Sequence, residues 1–120
     1  MDLSFENPTH ERLANNPDAL AKKFDRQHKG ASMDILTTLS ILYAAPSLAD
    51  VPRTYRPHPL KGGLKGSFAV DVNKTHRVIF VPDHDGDEHF RIDNFKTITA
   101  ITIIEIFASS EESVGSFWHR

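Results

Sequence analysis

Residues 66–81 read Gly66-Ser67-Phe68-Ala69-Val70-Asp71-Val72-Asn73-Lys74-Thr75-His76-Arg77-Val78-Ile79-Phe80-Val81, and this stretch decides the fold class. Phe68, Val70 and Val72 alternate with Ser67, Ala69 and Asp71. A period of two sends the first set to one face of a β-strand and the second set to the other. Asn73-Lys74 suits a turn and residues 76–81 supply the return strand, so the segment is an antiparallel hairpin. Downstream, residues 82–88 carry four acids and one glycine, an exposed turn, and residues 89–93 are a candidate third strand. Residues 97–107 are rich in β-branched side chains and apolar on both faces around Ile103-Ile104. That pattern fits a strand in the middle of a sheet.

Upstream of the hairpin the period changes. Residues 1–5 place Leu3 and Phe5 on one side of an extended segment that Asn7-Pro8 stops, which reads as an edge strand. Residues 9–14 suit a helical turn. Asn16-Pro17 is a helix start, an Asn cap before Pro at the first helical position. Leu20, Phe24, Gln27 and Ala31 follow at helical spacing, and Gly30 bends or ends that helix. A second helix starts at Ser32, with Met33, Leu36, Leu39 (or Ser40) and Tyr43 as its stripe, widened by Ile35 and Leu42, and Pro46 closes it. Residues 50–65 hold three prolines and two adjacent glycines and are irregular. Strand, helices, then strands make an α+β domain: the N-terminal strand and two helices pack on one face of a twisted, mostly antiparallel sheet of four to five strands. The other face is then left as a working surface.

With 120 residues the chain has room for one domain, and residues 108–120 read as a C-terminal extension of it. Apolar residues make up 39% of the chain, too many for a disordered one. No apolar run approaches the roughly 20 residues of a membrane span. Residues 1–15 carry Asp2, Glu6, Glu11 and Arg12 and no hydrophobic segment, so a cytoplasmic protein is expected. With no cysteine, disulfides, thiolate catalysis and Cys-based metal sites are excluded.

The net charge of -2 hides a strong asymmetry. Residues 51–80 hold Arg53, Arg56, Lys61, Lys65, Lys74 and Arg77 against Asp71 alone, and residues 81–112 hold eight acids against Arg91 and Lys96. A basic loop leading into a basic hairpin is a fair phosphate-contact surface, each contact charge-assisted and salt-sensitive. The glycines of residues 62–66 do not open a helix and lack the phosphate-loop order. The acidic segment 83–89 lacks the helix and residue order of a calcium loop and reads as a solvated turn.

The segments His58-Pro-Leu-Lys-Gly, Gly66-Ser-Phe-Ala-Val-Asp-Val-Asn73 and His76-Arg77-Val-Ile-Phe80 together resemble the core of the HigB branch of the RelE/ParE toxin superfamily. Leu48-Ala49-Asp50-Val51-Pro52 is similar to the step that precedes that core, and residues 101–106 with Glu105 to its last strand. The resemblance implies the toxin of a type II toxin–antitoxin module, a ribosome-dependent, metal-independent endoribonuclease that cuts mRNA without a cofactor. It implies as partner a cognate antitoxin, commonly with a helix-turn-helix, and operator DNA only through the complex with it. Lys61 and Arg77 match the loop lysine and return-strand arginine, Asn73 the hairpin asparagine, and Lys65 a commonly charged position. The family's closing Asp-Tyr-His is absent. Glu105-Ile-Phe107 runs into Ala108-Ser109-Ser110, and the chain ends Phe117-Trp118-His119-Arg120. A ParE-like inhibitor that makes no cut, and a homologue whose main role is binding an antitoxin, therefore remain open beside the nuclease.

Cleavage of RNA without a metal needs a base for the 2′-OH, positive charge on the phosphorane and an acid for the 5′-oxygen. Lys61 and Arg77 fit the charge. His58, His76 and His119 are the candidates for proton transfer. Adjacent strand residues face opposite ways, so His76 turns toward the helices if Arg77 lines the site. The expected catalytic set is Lys61, Arg77 and His119, with His58, Lys65, Asn73, Lys74, Trp118 and Arg120 holding RNA.

Overall fold

The computed structural model describes residues 1–26 and 28–108. In chain order they form β1 (Asp2–Phe5), α1 (Pro8–Ala14), α2 (Pro17–Phe24), α3 (Ala31–Ala44), β2 (His58–Pro59), β3 (Phe68–Asp71), β4 (His76–Pro82) and β5 (Ala100–Ala108), with short 3-10 turns between α3 and β5. The five strands make one sheet in the order β1-β5-β4-β3-β2. Among the described residues only the β1–β5 pairing is parallel. The α+β architecture read from the periodicities holds, with β5 in the interior of the sheet.

Three helices stand where the sequence suggested two and a helical turn. Asn7 accepts from the Thr9 N–H at 2.9 Å and Asn16 from the Ala19 N–H at 3.2 Å, each ahead of a proline at the first helical position. Gly30, in left-handed backbone at φ +83°, breaks α2 from α3. The Asp25 carboxylate then caps α3 from outside, accepting from the Ser32 N–H at 2.8 Å and the Ser32 hydroxyl at 3.1 Å. The buried stripe of α3 is Ala31, Ile35, Thr38, Leu39 and Leu42. Met33 and Tyr43, placed on the inner stripe by spacing alone, are 63% and 70% exposed. The capped start at Gly30 rotates the helix so that the Ile35–Leu42 side meets the sheet.

The main core lies between the helices and one sheet face, where Leu20, Phe24, Ile35, Leu42, Phe68, Val70, Val78, Phe80, Ile101 and Ile103 are buried. Residues 89–93 are not a strand but part of a looped excursion between β4 and β5. His84 ties that loop down: its Nε2 accepts from the Thr99 and Ala100 N–H groups at 3.0 and 3.2 Å, and its ring stacks on Phe90. The ring proton therefore sits on Nδ1, 3.2 Å from Asp87 Oδ2. Asp87 is held below the usual carboxylate range, first by the His89 N–H it accepts and then by His84.

The other sheet face is not wholly free. Ala69 and Ile79 are buried there under Leu60, Leu64 and Ile104, a second small core roofed by the glycine-bearing loop. Ile104 reaches that side by alternation from Ile103, and the register slip between Ile79 and Phe80, which face Glu105 and Ile103 respectively, lets Ile103 and Ile106 both meet the main core. Beyond this roof, toward the β3–β4 turn, the face is polar. At the outer rim, β2 sits between Pro57 and Leu60, and the Leu60 N–H donates to the Ser67 carbonyl at 2.9 Å.

Candidate anion-binding cleft

Register builds the site. Asp71, last in β3, lies opposite Arg77 in β4. Both belong to the face that carries Ala69 and Ile79, since residues two apart on a strand share a face. Arg77 Nε approaches Asp71 Oδ1 at 3.4 Å, and Arg56 Nη1 approaches Asp71 Oδ2 at 3.3 Å. Thr54, Arg56, Asp71, Lys74, Thr75 and Arg77 line a cleft of about 440 Å³ together with Val72, Asn73 and His76. Among the described residues that line it, three cations stand against one acid.

Arg56 holds the cleft from an unfavourable backbone. It is the one described residue other than glycine at positive φ, +48°. Left-handed backbone costs a residue with a Cβ about 1–2 kcal/mol, and such strain is found where surrounding structure fixes a functional group. The Arg56 carbonyl accepts from His58 Nδ1. A carbonyl only accepts, so the His58 proton lies on Nδ1 and Nε2 is the basic nitrogen. His58 pairs with Ala69 across β2 and β3 and shares its face. It stands diagonally from Asp71, an alpha-carbon spacing of roughly 7–8 Å.

Asn73 and His76 border the cleft and also hold the turn together. Asn73 Oδ1 accepts from the Thr75 and His76 N–H groups, both at 2.8 Å, and Asn73 Nδ2 donates to Asp34 of α3 at 3.1 Å. His76 is buried and meets Phe24 and His28 edge-on, on the helix side as expected. Lys61 and Lys65 lie elsewhere. Pro59 pairs with Phe68, at the far end of β3 from Asp71, and exposed Lys61 follows just beyond. Continuing the register places Lys61 about five residues along the strand direction from Arg77, roughly 16 Å. Lys65 edges an apolar hollow with Leu60, Phe68, Ile92 and Phe95. Trp118, His119 and Arg120 lie outside the described residues.

Arg56 entered the sequence reading only as a charge, and Asp71 as a charge and an alternating strand position, neither as a site residue. Strand period could have found Asp71, because alternation puts it opposite Val70 and Val72. No local signal marks Arg56, whose position depends on the path of an irregular segment.

No family model and no curated protein compared with the chain matches it. Solved structures do. YafQ from E. coli strain BL21(DE3) superposes with a TM-score of 0.50 at 18% identity, covering 92% of this chain and 96% of that one. This chain has the fold of YafQ. A YafQ mutant from E. coli gives a TM-score of 0.50 at 20% identity over 92% and 96%. A chain of the YoeB-YefM complex from Staphylococcus aureus gives 0.51 at 19% identity, covering 89% of this chain and 94% of that one. At these identities the likeness concerns the fold.

Proposed function

We propose that the chain is the toxin of a type II toxin–antitoxin module in the RelE/ParE superfamily, cutting mRNA on the ribosome without a metal. The observation that carries this reading is the convergence of Arg56, Lys74 and Arg77 in one cleft, with the basic nitrogen of His58 on the same sheet face. His58 Nε2 takes the proton of a 2′-hydroxyl, whose oxygen bonds to the adjacent phosphorus. Arg77 and Arg56 hold the non-bridging oxygens as negative charge grows on them. The bond from phosphorus to the 5′-oxygen breaks, leaving a 2′,3′-cyclic phosphate, and the departing oxygen takes a proton. His119 is the proposed donor, with Trp118 stacking a base and Arg120 on a neighbouring phosphate. Lys61 and Lys65, at the other end of β3, engage phosphates or bases further along the strand.

The HigB branch is the finer assignment, resting on the sequence motif. A protein antitoxin is the proposed partner, in keeping with the likeness to a chain of the YoeB-YefM complex. Its helix-turn-helix would carry the pair to operator DNA. No helix among the described residues is long and apolar enough to cross a membrane, and action on ribosomes places the protein in the cytoplasm.

Translation in vitro followed by primer extension tests the nuclease. Wild-type protein should cut ribosome-bound transcripts, and Arg77→Ala and His58→Ala should each lower the rate by a factor of about 10² or more. Intact transcripts alongside growth arrest would refute it. The missing Asp-Tyr-His favours a second reading, a ParE-like inhibitor without cleavage, for which inhibition of gyrase supercoiling is the positive assay.

A further inference from the structure

Asp71 stands between the two arginines of the cleft. One carboxylate bridges two guanidiniums, Oδ2 at 3.3 Å from Arg56 and Oδ1 at 3.4 Å from Arg77. Both contacts are longer than the roughly 2.7–2.9 Å of a well-formed charge-assisted hydrogen bond. Oδ1 is buried and, among the described residues, meets no donor in hydrogen-bonding geometry. The pairing thus neutralises part of the cleft without giving the carboxylate its best partners. Arg56 is 65% exposed along its side chain and can swing without disturbing the core.

We infer that Asp71 is the specificity-determining residue of the cleft, a resident anion that yields the arginine pair to a chain of phosphates and withholds it from a single one. A lone phosphate entering between Arg56 and Arg77 must displace Asp71 and then lie beside its charge. A polynucleotide meets the same repulsion, but adds contacts at Lys74 and, beyond the roofed part of the face, at Lys61. The inference rests on the reading of this cleft as a site for RNA phosphates, and it adds the reason an acid stands in the middle of it.

Asp71→Asn removes the charge and keeps the shape. The probes are a fluorescent, uncleavable single-stranded 2′-deoxy oligonucleotide and inorganic phosphate as its competitor, followed by anisotropy over a range of salt. Asp71→Asn should bind the oligonucleotide about three- to tenfold more tightly, the effect of removing one screened charge several ångströms away. The slope of log affinity against log salt should steepen by about 0.7, one further counterion on a single strand. Phosphate should compete better against the variant than against wild type. In an Arg56→Ala background the gain should shrink. If Asp71 only props the arginines, Asp71→Asn weakens binding; that result, or an unchanged affinity and slope, overturns the inference. Asp71→Ser serves as the second variant if circular dichroism shows the first misfolded. Ribosome cleavage measured in parallel separates the two readings: wild type that binds but never cuts sinks the nuclease, while the sign of the Asp71→Asn effect still decides this one.

Discussion

Replacing Asn73 with alanine separates two roles for one residue. In an RNA-contacting role, its amide meets a base or phosphate and its loss leaves the fold untouched. In the structure that side chain fastens the β3–β4 turn: Oδ1 accepts two backbone N–H groups at 2.8 Å and Nδ2 donates to the Asp34 carboxylate at 3.1 Å. A net hydrogen bond contributes about 1 kcal/mol, and somewhat more where a charged group takes part. Water replaces part of this at a half-buried turn, so the expected loss is about 2–3 kcal/mol. For a chain of 120 residues the unfolding entropy of about 2.1 cal/mol/K per residue turns that loss into a fall in Tm of about 8–12 °C. Thermal melts of Asn73→Ala, Asp34→Ala and the double variant measure it. The double variant should fall short of the sum of the singles by about 0.5–1 kcal/mol, because both singles break the same contact. A Tm within about 2 °C of wild type together with weakened oligonucleotide binding would refute the fastening role and return Asn73 to the RNA surface.

Other outcomes follow from the same geometry. His84→Ala strips the acceptor from the Thr99 and Ala100 N–H groups and should raise amide exchange across residues 83–99, with a stability loss of about 2–3 kcal/mol. Exchange confined to its wild-type pattern would contradict this. Asp87 has a folded pKa below its ordinary 3.8, so its contribution is complete above that value and disappears as pH falls through the folded pKa. Asp87→Asn should therefore flatten the acid limb of the stability curve and leave the neutral region's pH dependence alone. Gly30→Ala meets no atom within 4 Å yet sits at φ +83°, so a loss of about 1–2 kcal/mol in chemical denaturation is expected from backbone strain alone. A neutral or stabilising result would mean that the turn relaxes.

Periodicity carried the fold and failed at particular places for physical reasons. The hairpin and the central strand were legible because a half-buried strand must alternate and a fully buried one must be apolar throughout. The inner face of α3 was misjudged because Met33 and Tyr43 fit a helical stripe as well as Ile35 and Leu42 do. Only the phase set by Gly30 and Asp25 chooses between them. Residues 89–93 alternate like a strand, but a long-range side-chain contact, His84 to residues 99 and 100, organises the loop around them, and no short window of sequence contains it. For the site, Arg77 came from the resemblance, and the direction of His76 followed from it by strand geometry. Arg56 did not, because its place depends on how an irregular, proline-rich segment crosses the end of the sheet. Asn73 was legible as a turn residue, whereas its tie to Asp34, 39 positions away, was not.

The prolines beside β2 set the direction in which the sheet can grow. The Leu60 N–H points inward to Ser67, and antiparallel alternation turns the backbone at positions 57 and 59 outward. Proline at both places leaves no donors there, so a further strand cannot zip onto the margin nearest the cleft. At the opposite margin, the Asp2 and Glu6 N–H groups point to β5, which turns those of Leu3 and Phe5 away from it. Backbone annexation of this protein is therefore one-sided, with the permissive border on the β1 side and the closed border on the β2 side beside the cleft.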